Sequence, residues 1–256
     1  MKVAILSDVH GNFEALKSVY ADIQQNDVDH LVCLGDMVGY GPEPEAVVNF
    51  LVEKGIAGVV GNHELATLED ARLEEMSGDA RASILITRTL VSDNTLALIG
   101  QLPRYRILDD MRFVHGMPPD SATTYLNWVG DGEIAERMKA VPQRMIFVGH
   151  SHRPIGYSFD ARGLDVIILQ EGKTRLHRDT RHLVNVGSVG QPRDGDARAR
   201  YVIYDTEADE VDLRFVAYDV RKTADRIVAL GFPKYNALRL FPKKMVSNRD
   251  AETDCL

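Results

Sequence analysis

Short apolar runs alternate with polar segments along this chain, and most of the runs stop at a glycine or at a polar side chain. Five of these runs have the length and composition of buried β-strands. They lie at 3–6, 31–34, 56–60, 111–114 and 146–148. Between the first three runs, apolar residues recur at helical spacing, for example at Phe13, Leu16 and Val19. This repeat of strand, helix and strand predicts an α/β fold with helices covering a sheet.

Two later regions have a different pattern of apolar and polar residues. Residues 65–102 show no strand-like alternation and predict two or three helices, which either cover the sheet or form a wall over a site and set substrate access. Beyond residue 152, turn-rich segments separate six further predicted strands, which we expect to form hairpins of a second, antiparallel-rich half. They lie at 155–159, 166–170, 173–176, 183–186, 201–204 and 211–218.

Length and composition favour one large domain. The chain has 256 residues, is 45% hydrophobic and contains no linker-like or repeated segment. We therefore expect one domain over 1–242 and a mobile tail over 243–256. The net charge of −8 disfavours nucleic acid and anionic membranes as partners. Two cysteines, no signal-peptide pattern and no apolar run long enough to span a bilayer favour a cytoplasmic location.

Each of the five apolar runs delivers metal-capable side chains at its carboxyl end. These side chains are Asp8, His10, Asp36, Asn62, His63, His115, His150 and His152. Strand ends on one edge of a sheet converge, so we expect one shared site. Imidazole, carboxylate and amide donors suit Mn, Fe, Zn, Co or Ni better than Ca. Eight groups exceed the needs of one ion and predict two, with Mn expected to support activity best.

The motifs at these strand ends carry a family resemblance. They are Asp8-Val9-His10, Gly35-Asp36, Gly61-Asn62-His63-Glu64, His115-Gly116 and Gly149-His150-Ser151-His152. In this order they resemble the motif series of the calcineurin-like metallophosphoesterase superfamily, and the resemblance covers Met1 to about Val220. It implies a four-layer αββα sandwich with two mixed β-sheets and the metals at the strand ends.

The resemblance also implies a role for each residue. Asp8, His10 and His152 would hold one ion, and Asn62, His115 and His150 the other. Asp36 would bridge the two ions, and His63 would neutralise or protonate the leaving oxygen. Such a site has a net charge of about +2 and would attract phosphate and activate a bridging water for attack on phosphorus. Glu64 would orient an imidazole or begin a helix.

Two further segments narrow the choice of substrate. Protein phosphatases and symmetric dinucleoside tetraphosphatases of this superfamily carry an arginine shortly after the bridging Asp, whereas Asp36 is followed by Met37-Val38-Gly39-Tyr40. Residues 185–196 resemble the compact prokaryotic phosphodiesterase branch, which includes asymmetric diadenosine tetraphosphate hydrolases. Four residues are candidate substrate contacts. For the first two named below, the alternative interpretation is a polar turn, and for the last two it is ordinary packing. The four residues are Arg193 and Gln191 for phosphate, and Tyr125 and Trp128 for a base.

The sequence thus predicts a two-metal phosphodiesterase acting on a small phosphate ester or nucleotide, such as diadenosine tetraphosphate. Three alternatives stay open: a nuclease using basic residues at 173–181 and 234–249, a phosphomonoesterase or protein phosphatase, and a non-catalytic scaffold. A scaffold would be expected to lack part of the metal series, which is complete here. No oligomeric state is predicted.

Overall fold

The computed structural model describes residues 1–242, and the strands in this part of the chain build two sheets. The strands are β1 Lys2–Leu6, β2 His30–Cys33, β3 Ala57–Gly58, β4 Tyr105–Leu108, β5 Met111–Val114, β6 Met145–Val148, β7 Ile155–Asp160, β8 Gly163–Ile167, β9 Gly172–Arg175, β10 Arg181–Asn185, β11 Ala199–Asp205 and β12 Glu210–Val216. The first sheet has the order β3-β2-β1-β11-β12-β9, and the second has the order β4-β5-β6-β10-β7-β8.

Helices flank the two sheets. They are α1 Phe13–Ile23, α2 Pro44–Glu53, α3 Asn62–Leu68, α4 Asp70–Glu74, α5 Gly78–Leu90, α6 Asp93–Ile99, α7 Asp131–Lys139, α8 Val220–Ala229 and α9 Lys234–Leu238. Helix α1 begins after Asn12, whose side chain accepts a hydrogen bond from the amide of Ala15 and so satisfies a helix-start donor. No helix within 1–242 has the length and apolar character needed to cross a membrane.

Side-chain alternation along the strands creates the layers. In β1, Val3 and Ile5 pack between the two sheets, while Ala4 and Leu6 pack against the apolar faces of α1 and α2. The second sheet follows the same rule. Residues 113 and 147 stack between the sheets with ring centres 5.5 Å apart, and residues 114, 146 and 148 face α7. The predicted four-layer αββα sandwich is therefore confirmed.

The parallel strands bring the metal-ligand motifs that follow them to one edge of the molecule. Strands β1, β2 and β3 run parallel in the first sheet, as do β5, β6 and β10 in the second. All of the candidate ligands follow one of these six strands. Because the two sheets pack face to face, the ends of both sets of parallel strands surround a single site.

Two expectations from the sequence need correction. The strands beyond residue 152 do not form a separate half, because β9, β11 and β12 complete the first sheet while β7, β8 and β10 complete the second. The segment 65–102 contains the end of α3 and three further helices, so it is more finely divided than expected. The expected tail, 243–256, lies outside the described residues.

Candidate metal centre

The eight strand-end side chains meet in the structure. Seven of them are buried, and Asn62 is half-buried. The first metal-capable group contains Asp8, His10 and His152, and the second contains Asp36, His115 and His150. A third combination, His10, Asp36 and His63, shares one residue with each of these groups.

In the first group, the three side chains converge on one point. Nε2 of His152 lies 3.2 Å from Oδ1 of Asp8 and 3.1 Å from Nε2 of His10. Oδ1 of Asp8 is buried and has no hydrogen-bond partner within residues 1–242. A buried carboxylate oxygen without a donor is costly unless a cation binds it, so this group has the donor chemistry of a metal site.

The second group has the same construction. Nε2 of His115 lies 3.2 Å from Oδ2 of Asp36, 3.1 Å from Nδ1 of His150 and 3.3 Å from Oδ1 of Asn62. Oδ2 of Asp36 is also 3.7 Å from Nε2 of His10, which belongs to the first group. Asp36 thus lies between the two groups.

Backbone carbonyls orient the four candidate ligand imidazoles through the ring nitrogen that faces away from the site. Each ring places one nitrogen toward the centre of the site, and its other nitrogen lies within hydrogen-bonding distance of a carbonyl oxygen, to which an N–H at that position would donate. The pairs are His10 Nδ1 with Val38 (3.1 Å), His115 Nδ1 with Leu34 (2.7 Å), His152 Nδ1 with Gln191 (2.6 Å) and His150 Nε2 with Thr123 (3.2 Å). Such bonds leave the inner nitrogen free of a proton and able to bind a metal.

The backbone is strained where it presents these ligands. Five of the seven candidate ligands have a left-handed φ, which non-glycine residues rarely adopt: Asp8 (54°), His10 (49°), Asp36 (51°), His150 (66°) and His152 (57°). A Cβ on Gly149 would lie 2.0 Å from Oγ of Ser7 and 2.6 Å from Oδ2 of Asp8, so only glycine lets these loops approach each other. Strain of this kind concentrates at functional sites.

Glu64 joins two of the ligand-bearing loops. Its buried carboxylate accepts hydrogen bonds from the backbone N–H groups of Asp36, Met37, Val38 and Gly61, at 2.8 to 3.2 Å. It lies in the first turn of α3 but contacts no imidazole, which resolves the two roles that the sequence left open. Burial and the nearby charge of Asp36 raise its pKa to about 7.

Asn185, at the end of β10, holds the loop that carries His150 and His152. Its side-chain amide donates to the carbonyl of Gly149 at 2.5 Å and to Oγ of Ser151 at 2.9 Å. Its Oδ1 accepts the backbone N–H of Gly187 at 3.0 Å. This agrees with a loop-shaping role rather than a ligand role.

The charges at the centre are strongly coupled. Burial alone would raise the pKa of Asp8 and of Asp36, but the imidazoles of His152 and His115 respectively hold both carboxylates below their usual range. Burial lowers the pKa of His150 to about 3. Burial also opposes protonation of His115, yet the adjacent Asp36 raises its pKa to about 9. Metal ions bind ionised carboxylates and neutral imidazoles, so an ion in the second group would have to displace the proton that Asp36 holds on His115.

His63 differs from the seven candidate ligands. Its Nε2 lies 4.0 Å from Oδ2 of Asp36, and its Nδ1 is buried without a hydrogen-bond partner in the described part of the chain. Burial lowers its pKa to about 4, so the ring is neutral near pH 7. The ring of Tyr40, which the sequence did not single out, packs against His63 with centres 4.5 Å apart.

A cavity of about 340 Å³ opens beside His63, Asn62 and His150. Tyr125 stacks on His150 with ring centres 3.6 Å apart, and Trp128 lies 4.2 Å beyond it with 77% of its surface exposed. Residues from α3 to α5 line the opposite side, so the helical segment is both a cover for the sheet and a wall of the site. They are Leu65, Arg72, Glu75, Met76, Ser77 and Ala80.

The two other candidate substrate residues lie beside the first metal group. Gln191 is buried, and its backbone carbonyl is the oxygen that faces Nδ1 of His152. Its side-chain Oε1 accepts a hydrogen bond from Nη2 of Arg193 at 3.2 Å. The guanidinium carbon of Arg193 lies 6.0 Å from the ring centre of Tyr40. Arg193 does not line the cavity that contains Tyr125 and Trp128.

Comparisons with known proteins agree with this geometry. The family model for the calcineurin-like phosphoesterase superfamily domain matches residues 1–209. The chain is similar to an uncharacterized protein of Methanocaldococcus jannaschii, with 33% identity over 93% of this chain and 97% of that protein. It is also similar to the crystal structure of a metallophosphoesterase from Sphaerobacter thermophilus, with 32% identity, a TM-score of 0.82, and coverage of 94% of this chain and 98% of that chain. A weaker similarity, 25% over 60% of this chain and 46% of the relative, is to a symmetrical bis(5'-nucleosyl)-tetraphosphatase of a Shewanella species.

Proposed function

The chain belongs to the calcineurin-like phosphoesterase superfamily, and we propose on this basis that it is a two-metal phosphodiesterase that cleaves small nucleotides such as diadenosine tetraphosphate. Its class, a metallophosphoesterase, follows from the family and from the structure it resembles. The observation that carries the two-metal proposal is the meeting of two donor groups at Asp36.

The donors present suit two divalent transition-metal ions. Asp8, His10 and His152 would hold one, and Asn62, His115 and His150 the other, with Asp36 between them. Two such ions would supply the positive charge and the Lewis acidity that displacement at phosphorus requires. The mixed imidazole and carboxylate donors suit Mn, Fe, Zn, Ni and Co, and among these ions we propose Mn as the one that best supports activity.

The surrounding residues would then orient the substrate. His63 lines the cavity beside the second group, so its ring can donate a hydrogen bond to the leaving oxygen as negative charge develops there. Because this ring is neutral, we expect donation from its N–H rather than transfer from an imidazolium. Tyr125 and Trp128 would stack on a base in that cavity, and Arg193 would contact a phosphate from the side of His152.

Three basic residues in the run that starts with β9 already have partners. Lys173 pairs with Glu210 at 3.3 Å and Arg178 with Asp209 at 3.0 Å, while Arg181 donates to backbone carbonyls. A phosphate backbone would have to displace these partners, which disfavours a nuclease that uses these three cations.

Turnover of diadenosine tetraphosphate in the presence of Mn tests the proposal. Anion-exchange separation distinguishes ATP plus AMP, the asymmetric products, from two molecules of ADP, the symmetric product. We expect the asymmetric products, because the residues immediately after Asp36, 37–42, include no arginine. Bis(p-nitrophenyl) phosphate and phosphotyrosine serve as diester and monoester comparisons. Turnover of phosphotyrosine alone would contradict the phosphodiesterase assignment, and no turnover of any ester would contradict the two-metal proposal itself.

A further inference from the structure

A second cavity, of about 460 Å³, lies next to the loop that follows β10. Its apolar surface comes from Pro154, Leu169, Leu213 and Phe215, which belong to the strands and turns of both sheets. Two arginines, Arg153 and Arg193, contribute to the lining as well. The ring of Phe215 already packs against the guanidinium groups of Arg198 and Arg200, whose carbons lie 4.5 and 3.9 Å from its centre. Apolar side chains beside guanidinium groups are surroundings that suit an aromatic or nucleoside group attached to phosphate.

The arginines of this second cavity carry charge that the protein leaves available. Neither Arg153 nor Arg193 forms an ion pair with any residue in the described range, 1–242. Asp194 also lines the cavity, but its carboxylate is bound by Arg200 at 2.8 and 3.0 Å. Nε of Arg193 is buried and has no hydrogen-bond partner among the described residues. The cavity is therefore electropositive and suited to an anionic ligand.

Arg193 connects the second cavity to the metal centre. Its backbone N–H donates to the carbonyl of His152 at 3.3 Å, and its own carbonyl accepts Nε of Arg153 at 3.2 Å. Its guanidinium carbon reaches to 6.0 Å from the ring centre of Tyr40, which lines the first cavity together with His63. Arg193 thus lies between the two cavities, with the candidate metal ligand His152 beside it.

We propose that the second cavity is a binding site for the ester arm that stays on phosphorus, and that this arm is an aromatic or nucleoside group. This inference rests on the proposed phosphodiesterase function. His63 faces the first cavity, so the leaving arm lies there and the retained arm lies on the side of Arg193. A water oxygen forms the new bond to phosphorus, the bond to the leaving arm breaks, and the leaving oxygen takes up a proton.

Two diesters with the same leaving group test this assignment. Bis(p-nitrophenyl) phosphate has an aromatic retained arm, whereas methyl p-nitrophenyl phosphate has only a methyl group there. The readout is the ratio of kcat/KM for the first ester to kcat/KM for the second. In Arg153→Ala and in Leu169→Trp, which respectively remove a guanidinium and fill the cavity, we expect this ratio to fall about fivefold. Arg162→Ala, an exposed arginine in the β7–β8 turn, is the matched control and should keep the wild-type ratio.

The outcomes separate this inference from the function on which it rests. If the wild-type protein hydrolyses neither ester, the phosphodiesterase proposal fails, and the second-cavity proposal fails with it. If the wild type hydrolyses both esters but the ratio stays unchanged in both cavity variants, only the second-cavity proposal is overturned. Arg153 is exposed, so its replacement is not expected to disturb folding.

Discussion

Nε2 of His63 lies 4.0 Å from Oδ2 of Asp36, the carboxylate between the two candidate metal groups, while Nδ1 of the same ring is buried and has no hydrogen-bond partner among residues 1–242. The ring is therefore close to the place where phosphate would bind. The main-chain N–H of His63 is in turn fixed by Oδ1 of Asp36 at 2.9 Å. The ring is thus held in place and remains free to hydrogen-bond a phosphate ester.

His63→Ala should keep the metal ions and lose turnover, by about 10²–10⁴-fold for a substrate with a poor leaving group. The loss should be smaller for a p-nitrophenyl ester, because nitrophenolate needs little assistance to depart. Metal content and kcat/KM for both kinds of ester, measured on the same preparation, check this. Equal losses for good and poor leaving groups would argue that His63 positions substrate and does not assist departure.

Asp36→Asn and His150→Ala should lose bound metal as well as activity. Oδ2 of Asp36 lies near both donor groups, and the ring of His150 stacks on Tyr125 and lies within hydrogen-bonding distance of the carbonyl of Thr123. Elemental analysis should give about two ions per chain for the wild type and fewer for each variant. His177→Ala, which removes an exposed histidine, should match the wild type.

Glu64→Ala should destabilise the protein by at least about 3 kcal/mol, because it leaves four backbone N–H groups without their acceptor. Glu64→Gln should be intermediate, since an amide keeps one acceptor oxygen but directs N–H toward other donors. Denaturant unfolding measures the stability. Metal titration should show weaker binding in both variants, because the loop of Asp36 loses its support. A normal metal affinity in Glu64→Ala would contradict this positioning role.

Gly39→Ala should impair turnover more than its effect on stability suggests. Gly39 has φ +85°, and a Cβ there would lie 2.1 Å from Nδ1 of His63, so the imidazole must move. A displacement of about 1 Å can lower turnover about 10²-fold. Gly55→Ala is a matched control, because Gly55 has φ +64° but a Cβ there would meet no atom within 4 Å. Both variants should lose about 1 kcal/mol of stability from backbone strain, and only Gly39→Ala should lose turnover.

Asp209→Asn should lower stability by about 2 kcal/mol at neutral pH, and the difference from wild type should shrink in acid. Burial would raise the pKa of Asp209, but the hydroxyl of Tyr204 at 2.6 Å and the guanidinium of Arg144 at 2.5 Å hold that pKa below its usual range. The stabilisation is thus present above the unfolded pKa of about 3.9 and is lost as pH falls through the lower folded value. Urea unfolding of both proteins between about pH 3 and pH 7 measures this. A constant difference over that range would show that the charge of Asp209 contributes nothing.

The sequence by itself determined which side chains would be expected to meet. Apolar runs mark strands through local side-chain alternation, and the polar residue after each run is a local feature too, so the meeting of Asp8, Asp36, His115 and His150 could be predicted without a structure. The α/β class followed from the same pattern, and the αββα sandwich followed from the family resemblance. The number of helices in 65–102 was less well predicted, because short helices depend on tertiary packing more than on their own periodicity.

The tertiary structure decided everything that depends on residues far apart in the chain. His10 and His152 are separated by 142 positions, yet their Nε2 atoms lie 3.1 Å apart because β1 and β6 end at the same edge of facing sheets. The contact between Nδ1 of His152 and the carbonyl of Gln191 could not be predicted from residue types, because every residue carries a carbonyl. Long-range strand pairing assigns the later strands to two sheets and places Arg193 and Tyr125 in different cavities. Such pairing is set by how whole layers pack, and no local pattern encodes it.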